Sequence, residues 1–307
     1  MEKIHILLFY KFVKIENPKG FQRQHLMDCK ALGIKGRILV ANEGINGSVS
    51  GIKSQINKYK KLLTSDKRFS DIIFKEEIGL EHPFRRMGVL LRDEIVALNK
   101  KVDLSTPSNY ITSKELKELY DKGEDKEVII LDTRNDYEYK VGKFKNSIHL
   151  NIKTFHQFPE ALKKIKDKKD KKIITFCTGG IRCEKAARYM KEQGFKDVYQ
   201  LKDGILTFTR EFPNTYWEGK CFVFDKRLVS YVNQINKTIS NCFTCNKARD
   251  LYRNCRNIRC DKLYIQCVPC QGDFNGCCSK DCFKEFKEQC MVKSLINQGR
   301  RKIENVQ

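Results

Sequence analysis

Long apolar runs are missing from this chain. The longest, such as ILLF and EIVAL, are strand-sized, whereas a bilayer crossing needs about 20 consecutive apolar residues. No charged segment followed by an apolar core opens the sequence, so no secretory leader is expected and the cytoplasm is the expected compartment. Histidine is scarce: there are five, none in a His-x-Asp or His-x-Glu pair, which leaves no facial-triad signature for non-haem iron. No Gly-x-Gly-x-x-Gly occurs, so no flavin or nicotinamide site is expected, and no haem site is read. No repeat of 20 to 50 residues is found. Acidic residues are also in deficit, 38 Asp+Glu against 60 Lys+Arg, for a formal charge of +22. Such an excess favours a polyanionic partner, with nucleic acid foremost. The alternative is lysine enrichment of the whole genome, and KKIKDKKDKK (163–172) reads as a solvated stretch of that kind.

At 307 residues the chain suits two or three domains. Residues 1–100 alternate strand and helix patterns. HILLFYKFV reads as a strand, and the following helix starts at Pro18 and stops at Gly33. KGRILVA and GSVSG read as strands around the turn NEGING. A helix with Ile56, Tyr59, Leu62 and Leu63 on one side precedes a strand in FSDIIFKEE. The order βαββαβ predicts a ferredoxin-like (acylphosphatase-like) α+β sandwich, with FRRMGVLLRDEIVAL as an added strand pair or extension. Residues 105–220 read as a doubly wound α/β domain: a Thr112–Glu115 capping box, the buried strands EVIILD and KKIITFC, a helix, the strand DVYQL and a short last helix. Residues 221–307 form a Cys-rich C-terminal region.

The stretch FCTGGIRCEKAARYM, 176–190, carries the clearest chemistry. Cys177 ends a strand and a helix begins near Arg182, so the N–H groups of Thr178, Gly179, Gly180, Ile181, Arg182 and Cys183 can curl around one point. That is an anion cradle at a helix N-terminus. It lowers the pKa of a thiol placed in it and makes a nucleophile of Cys177, while Arg182 adds a fixed positive charge. Cys183, in the first turn of the helix, reads as a packing residue before a resolving thiol.

Of the 14 cysteines, only Cys29, Cys177, Cys183 and Cys221 precede residue 240. The others cluster as Cys242-x2-Cys245, Cys255-x4-Cys260, Cys267-x2-Cys270 and Cys277-Cys278-x3-Cys282, with Cys290 outside the pattern. In a reducing compartment this predicts about two structural zinc ions with four thiolates each, iron–sulfur being the rival. A cross-brace, in which the first cluster shares an ion with the third and the second with the fourth, is one connectivity. Metal would replace a missing apolar core. In HPFRRMG, Arg85 and Arg86 beside Phe84 are candidate RNA contacts, with a solvated strand edge as the alternative.

LDTRNDYEYKVGKFKNSIHLN resembles the first rhodanese signature, and FCTGGIRCEKAARYM followed by GFKDVYQLKDGI resembles the rhodanese active-site loop and its Gly-Ile motif. With ANEGINGSVSG before them and the cysteine clusters after, the whole chain resembles the tRNA uridine(34) hydroxylases. That resemblance implies oxygen-dependent conversion of the tRNA wobble uridine to 5-hydroxyuridine by an oxidoreductase, with the tRNA anticodon stem-loop as partner and molecular oxygen as co-substrate. It makes Cys177 the essential loop cysteine and Arg182 the loop arginine, and Asp132 and Arg134 the pair that braces the loop. A thiolate adding to uracil C6 would leave C5 enolate-like and reactive towards oxygen. The alternatives are a sulfurtransferase working through a Cys177 persulfide, or a non-catalytic RNA- or protein-binding module.

Overall fold

The computed structural model describes residues 2–105, 108–230, 232 and 237–291. In β1 (Ile4–Phe12) alternate side chains face opposite ways. Leu7 and Phe9 are fully buried in a core, and Leu8 and Tyr10 turn to the other face. Asn17 accepts the N–H of Gly20 and Pro18 sits in the first turn, starting α1 (Pro18–Ala31). Gly33, at φ +69°, follows its end. β2 (Lys35–Ala41), β3 (Gly44–Ile52), α2 (Lys53–Ser65) and β4 (Phe74–Gly79) complete the βαββαβ order. The sheet runs β4-β1-β3-β2 with antiparallel neighbours, the ferredoxin-like arrangement, and β5 (Met87–Leu91) extends it parallel to β2. Both helices bury their apolar sides against one face of this sheet.

Four local expectations change. The β2–β3 turn is only Asn42 and Glu43, because Gly44 already runs against β1, where a Cβ would lie 2.0 Å from the Lys11 carbonyl oxygen. Leu62 is exposed, and the buried side of α2 is Ile56, Tyr59 and Leu63. FSDIIFKEE becomes a strand only at Phe74, since Phe69 is buried in a short turn capped by Asp66. EIVAL is no second added strand: the Glu94 carboxylate accepts the N–H groups of Leu98 and Asn99 and holds it as a turn.

The second region runs β6 (Asn109–Ile111), α3 (Ser113–Asp121), β7 (Ile129–Asp132), α4 (Asp136–Val141), β8 (Gly142–Phe144), β9 (Ile148–His149), α5 (Phe158–Ala161), β10 (Lys172–Phe176), α6 (Ile181–Glu192), β11 (Asp197–Leu201) and α7 (Gly204–Glu211). The Thr112–Glu115 capping box forms. Strands β6-β11-β10-β7-β9 make an all-parallel sheet. One core beneath α6 holds Ala186, Met190 and Phe158, and a second beneath α3 and α7 holds Leu116, Phe176 and Phe208. The sheet is covered on both faces, as a doubly wound domain requires. The short strands β6, β8 and β9 left no periodicity to read.

β12 (Trp217–Gly219) pairs with β8, and β13 (Cys221–Phe222) with β14 (Val229–Ser230). Beyond them lie β15 (Tyr252–Asn254), β16 (Leu263–Ile265), α8 (Val268–Asp273) and a helix over 280–291. Apart from a cluster around Val141, Phe222, Tyr252 and Ile265, the apolar clusters here are built around cysteines, with Tyr264 beside Cys255 and Cys277. Among the described residues no helix is long and apolar enough to cross a membrane.

Candidate active site

Strand β10 ends where the carbonyl of Phe176 accepts both the N–H and the hydroxyl of Thr133, each at 3.0 Å. Cys177 follows, and the loop curls until the Gly180 N–H donates to its sulfur at 3.1 Å. That curl needs φ +102° at Gly180, and a Cβ there would sit 2.8 Å from the Tyr10 hydroxyl. From below, α7 clamps the loop: the N–H groups of Ile205 and Leu206 donate to the carbonyls of Cys177 and Thr178 at 3.0 and 3.2 Å. Gly204 permits this approach, since a Cβ there would lie 2.5 Å from the Cys177 carbonyl oxygen.

Burial opposes ionisation of Cys177. The Cys183 thiol, the Arg182 guanidinium and the N–H groups of Arg182 and Cys183 outweigh it and hold Cys177 well below the ordinary thiol range. Burial and the neighbouring Cys177 sulfur push Cys183 the other way, so Cys183 stays a thiol. It lies beneath the loop with its sulfur 3.5 Å from the Thr133 hydroxyl.

Arg182 is fixed by a residue that sequence reasoning left without a role. Its guanidinium forks onto Glu138 at 2.5 and 2.8 Å, and Thr178 turns its hydroxyl to within 3.4 Å of both. Glu138 is fully buried. Burial alone would raise its pKa, but Arg182 lowers it below the usual carboxylate range, so both partners are charged. Glu138 lies in the EYKVG of the stretch LDTRNDYEYKVGKFKNSIHLN, but its partner is 44 residues away. Asp132 and Arg134 form a separate, fully buried pair, with Arg134 donating to Asp132 at 2.6 and 2.9 Å and to the Gly142 carbonyl at 2.7 Å. Arg134 lies against the rings of Phe176 and Trp217. Neither residue lines the cavity, and Asp132 stands beside Phe176, the last residue of β10.

A cavity of about 320 Å³ lies between the Cys177 loop and the open face of the first sheet. It is mostly apolar, with Tyr10, Leu39 and Ile95 on one side and Cys177, Ile181 and Arg182 on the other. Phe84 and Phe224 also line it, and Phe224 is 60 % exposed. Arg85 and Arg86 follow Phe84 in the chain and are exposed. The two regions are latched beside the cavity by Lys185, 3 % exposed, which donates to Glu43 at 2.8 Å, Glu94 at 2.5 Å and the Val96 carbonyl.

Farther along, the sulfurs of Cys242, Cys245, Cys267 and Cys270 lie within 4.8 Å of one another, and so do those of Cys255, Cys260, Cys278 and Cys282. The first cluster meets the third and the second meets the fourth. Zinc–thiolate bonds of about 2.3 Å in a tetrahedron put sulfurs about 3.8 Å apart. Cys245–Cys267 and Cys260–Cys278 are both at 3.7 Å and Cys278–Cys282 is at 3.5 Å. The N–H groups of Cys267 and Cys278 donate to Cys242 and Cys255, and against the effect of burial the N–H groups of Cys245, Cys267 and Thr244 hold the Cys242 thiol down at about 6. Two four-cysteine groups able to hold metal ions are therefore in place. Cys277 belongs to neither: its side chain is fully buried against Tyr264, and burial raises its pKa. Its neighbour Cys278 supplies the fourth sulfur instead.

Comparison with known proteins accords with this division. Residues 4–95 match the UPF0176 acylphosphatase like domain, 112–211 the rhodanese-like domain, and 218–283 the rhodanase C-terminal family. The chain is 43 % identical to the tRNA uridine(34) hydroxylase of Bacillus licheniformis, over 90 % of this chain and 87 % of that protein. It is 38 % identical to the protein of that name from Cytophaga hutchinsonii, over 92 % and 90 %, and 39 % identical to that of Staphylococcus haemolyticus, over 98 % and 96 %.

Proposed function

The chain belongs to the tRNA uridine(34) hydroxylase family, and from that premise we propose that it hydroxylates the wobble uridine of tRNA with Cys177 as the reacting group. The observation that carries this reading is a buried, ionised sulfur facing an apolar cavity between two regions. A wobble base lies in a single-stranded loop, so it enters such a cavity without a duplex being opened. The Cys177 thiolate adds to C6 of the uracil, and the displaced electron pair becomes an enolate spread over C5 and the C4 carbonyl. The enolate attacks molecular oxygen and, on protonation, gives a C5 hydroperoxide. Two thiols supplied from outside deliver two electrons and two protons to the O–O bond, releasing water and a disulfide and leaving a C5 hydroxyl. Loss of the C5 proton with expulsion of the sulfur from C6 restores the double bond, the thiolate and the aromaticity of 5-hydroxyuridine.

Arg182 and the loop N–H groups stabilise the leaving thiolate in the last step as they do the attacking one in the first, and Glu138 keeps the guanidinium in place. Asp132 and Arg134 act from beneath, as positioning residues. Arg85 and Arg86, beside the cavity wall, pair with phosphates of the anticodon stem-loop, and the +22 charge serves the rest of the tRNA. Zinc suits both cysteine groups: all-thiolate sets at tetrahedral spacing leave no open position, so the ions order the third region and take no part in the reaction. The cytoplasm, where tRNA resides, is the compartment this function requires.

Mass spectrometry of tRNA nucleosides from cells with and without the gene tests the reading. Loss of 5-hydroxyuridine and its derivatives supports it. Loss of a thiolated base instead makes the loop a persulfide carrier, and an unchanged nucleoside profile makes the chain a binding module.

A further inference from the structure

The wall of the cavity that faces the Cys177 loop is the side of the first sheet left bare by α1 and α2. Cross-strand pairing sets Tyr10, Asn46 and Leu39 in one row, with Leu8, Ser48 and Arg37 in the next. All of them line the cavity. In the first row Asn46 puts a carboxamide between an aromatic and an aliphatic neighbour. An asparagine amide reads the same in either orientation unless a partner decides it. Here the partner is the backbone carbonyl of Ile95, which can only accept, so Nδ2 donates to it at 2.9 Å. The other end of the amide, Oδ1, accepts from no described residue. The side chain is half-buried, so this oxygen is not a sealed orphan. A carbonyl acceptor of fixed direction on an apolar wall selects a ligand that brings a donor.

We propose that Asn46 is the residue that reads the target base as uracil, its Oδ1 accepting the N3–H. The inference rests on the hydroxylase reading above and adds the determinant of its base choice. In a pyrimidine ring N3 and C6 occupy opposite corners. A base that presents C6 to the sulfur on the loop therefore directs N3 at the opposite wall, which is the sheet. Uracil carries a proton on N3. Cytosine does not, so its N3 would set one acceptor against another, and an unmade hydrogen bond on an apolar wall is costly. Asn46 belongs to the ANEGINGSVSG stretch, and in the same stretch Glu43 holds Lys185. The motif thus joins the two regions and furnishes the wall that faces the nucleophile.

The test uses full-length protein and anticodon stem-loops carrying uridine, cytidine or 3-methyluridine at the wobble position, with hydroxylation followed by mass spectrometry. Wild-type protein is expected to convert uridine and to lose roughly tenfold to a hundredfold in kcat/KM when N3 is methylated, because the methyl group removes the donor. Asn46→Ala is expected to lose a similar factor on uridine and to treat uridine and 3-methyluridine alike. Its melting temperature, measured in parallel, separates this from misfolding. If the variant does not fold, the response of the wild-type protein to 3-methylation decides alone. No turnover of uridine by the wild-type protein overturns both readings. Turnover with indifference to 3-methylation, or a folded variant that still discriminates, overturns the role of Asn46 and leaves the hydroxylase standing.

Discussion

Cys177 and Cys267 are both buried cysteines, yet their surroundings differ in kind. Cys177 stands on a strand–loop–helix turn with backbone N–H groups and a guanidinium around it. Cys267 faces three other sulfurs and little else. Donors that stabilise a lone thiolate leave its electron pair available for attack, whereas four sulfurs at tetrahedral spacing commit theirs to an ion. The scaffolds differ in the same sense. The loop rests on a parallel sheet with an apolar core on each face, so its geometry is set before any ligand arrives. The third region has few apolar groups to bury, and in their place it brings together two four-cysteine groups able to hold metal ions.

The largest effect should come from Cys177→Ser, which removes the thiolate with almost no change in shape. Hydroxylation should fall to background in a tRNA assay while the melting temperature holds. Retained turnover would erase the distinction between the two kinds of cysteine. Replacing Cys267 and Cys270 together by serine should lower the metal content from about two ions to about one and open residues 240–290 to hydrogen exchange. The amides of β10 and α6 should stay protected. Exchange spreading through β10 would mean that the loop depends on the metal after all. Glu138→Gln should be next, because it removes the carboxylate charge on which the buried Arg182 guanidinium forks and leaves the Cys177 thiolate as its nearest counter-charge, at a cost of about 3 kcal/mol. Thermal unfolding measures that cost, and a change within error would show that Arg182 finds another partner. Cys277→Ser should be the mildest: both ions retained by metal analysis, and about 1 kcal/mol lost from a buried contact. Loss of an ion in that variant would move Cys277 into the second group.

What could be read from sequence followed from distance along the chain. Cys177, its glycines, Arg182 and the helix are contiguous, so one window of residues contains the whole cradle. The cysteine clusters were legible from their short spacings, but which cluster meets which was open, because the fold and not the spacing brings the sulfurs together. The choice between Cys277 and Cys278 was open too, since the two are adjacent and only packing against Tyr264 tells them apart. Glu138 sat in a visible motif, but its partner is on another element. The cavity was out of reach for the same reason, as its walls come from two regions, and the latch between Lys185 and Glu43 spans 142 positions. In the first sheet the strand order was legible, while the ends of the strands followed from contacts such as Gly44 against Lys11.

The loop makes Cys177 an anion while its neighbour Cys183 remains protonated. The most direct measurement is a pH titration of thiolate absorbance in the ultraviolet, taken as the difference between wild-type protein and Cys177→Ser so that the metal-bound sulfurs cancel. The pKa of Cys177 is lowered in the folded chain, so the thiolate signal should already be complete at neutral pH and should disappear only as the solution is acidified. A difference signal that appears only above neutrality, at or beyond the ordinary thiol range, would contradict the account.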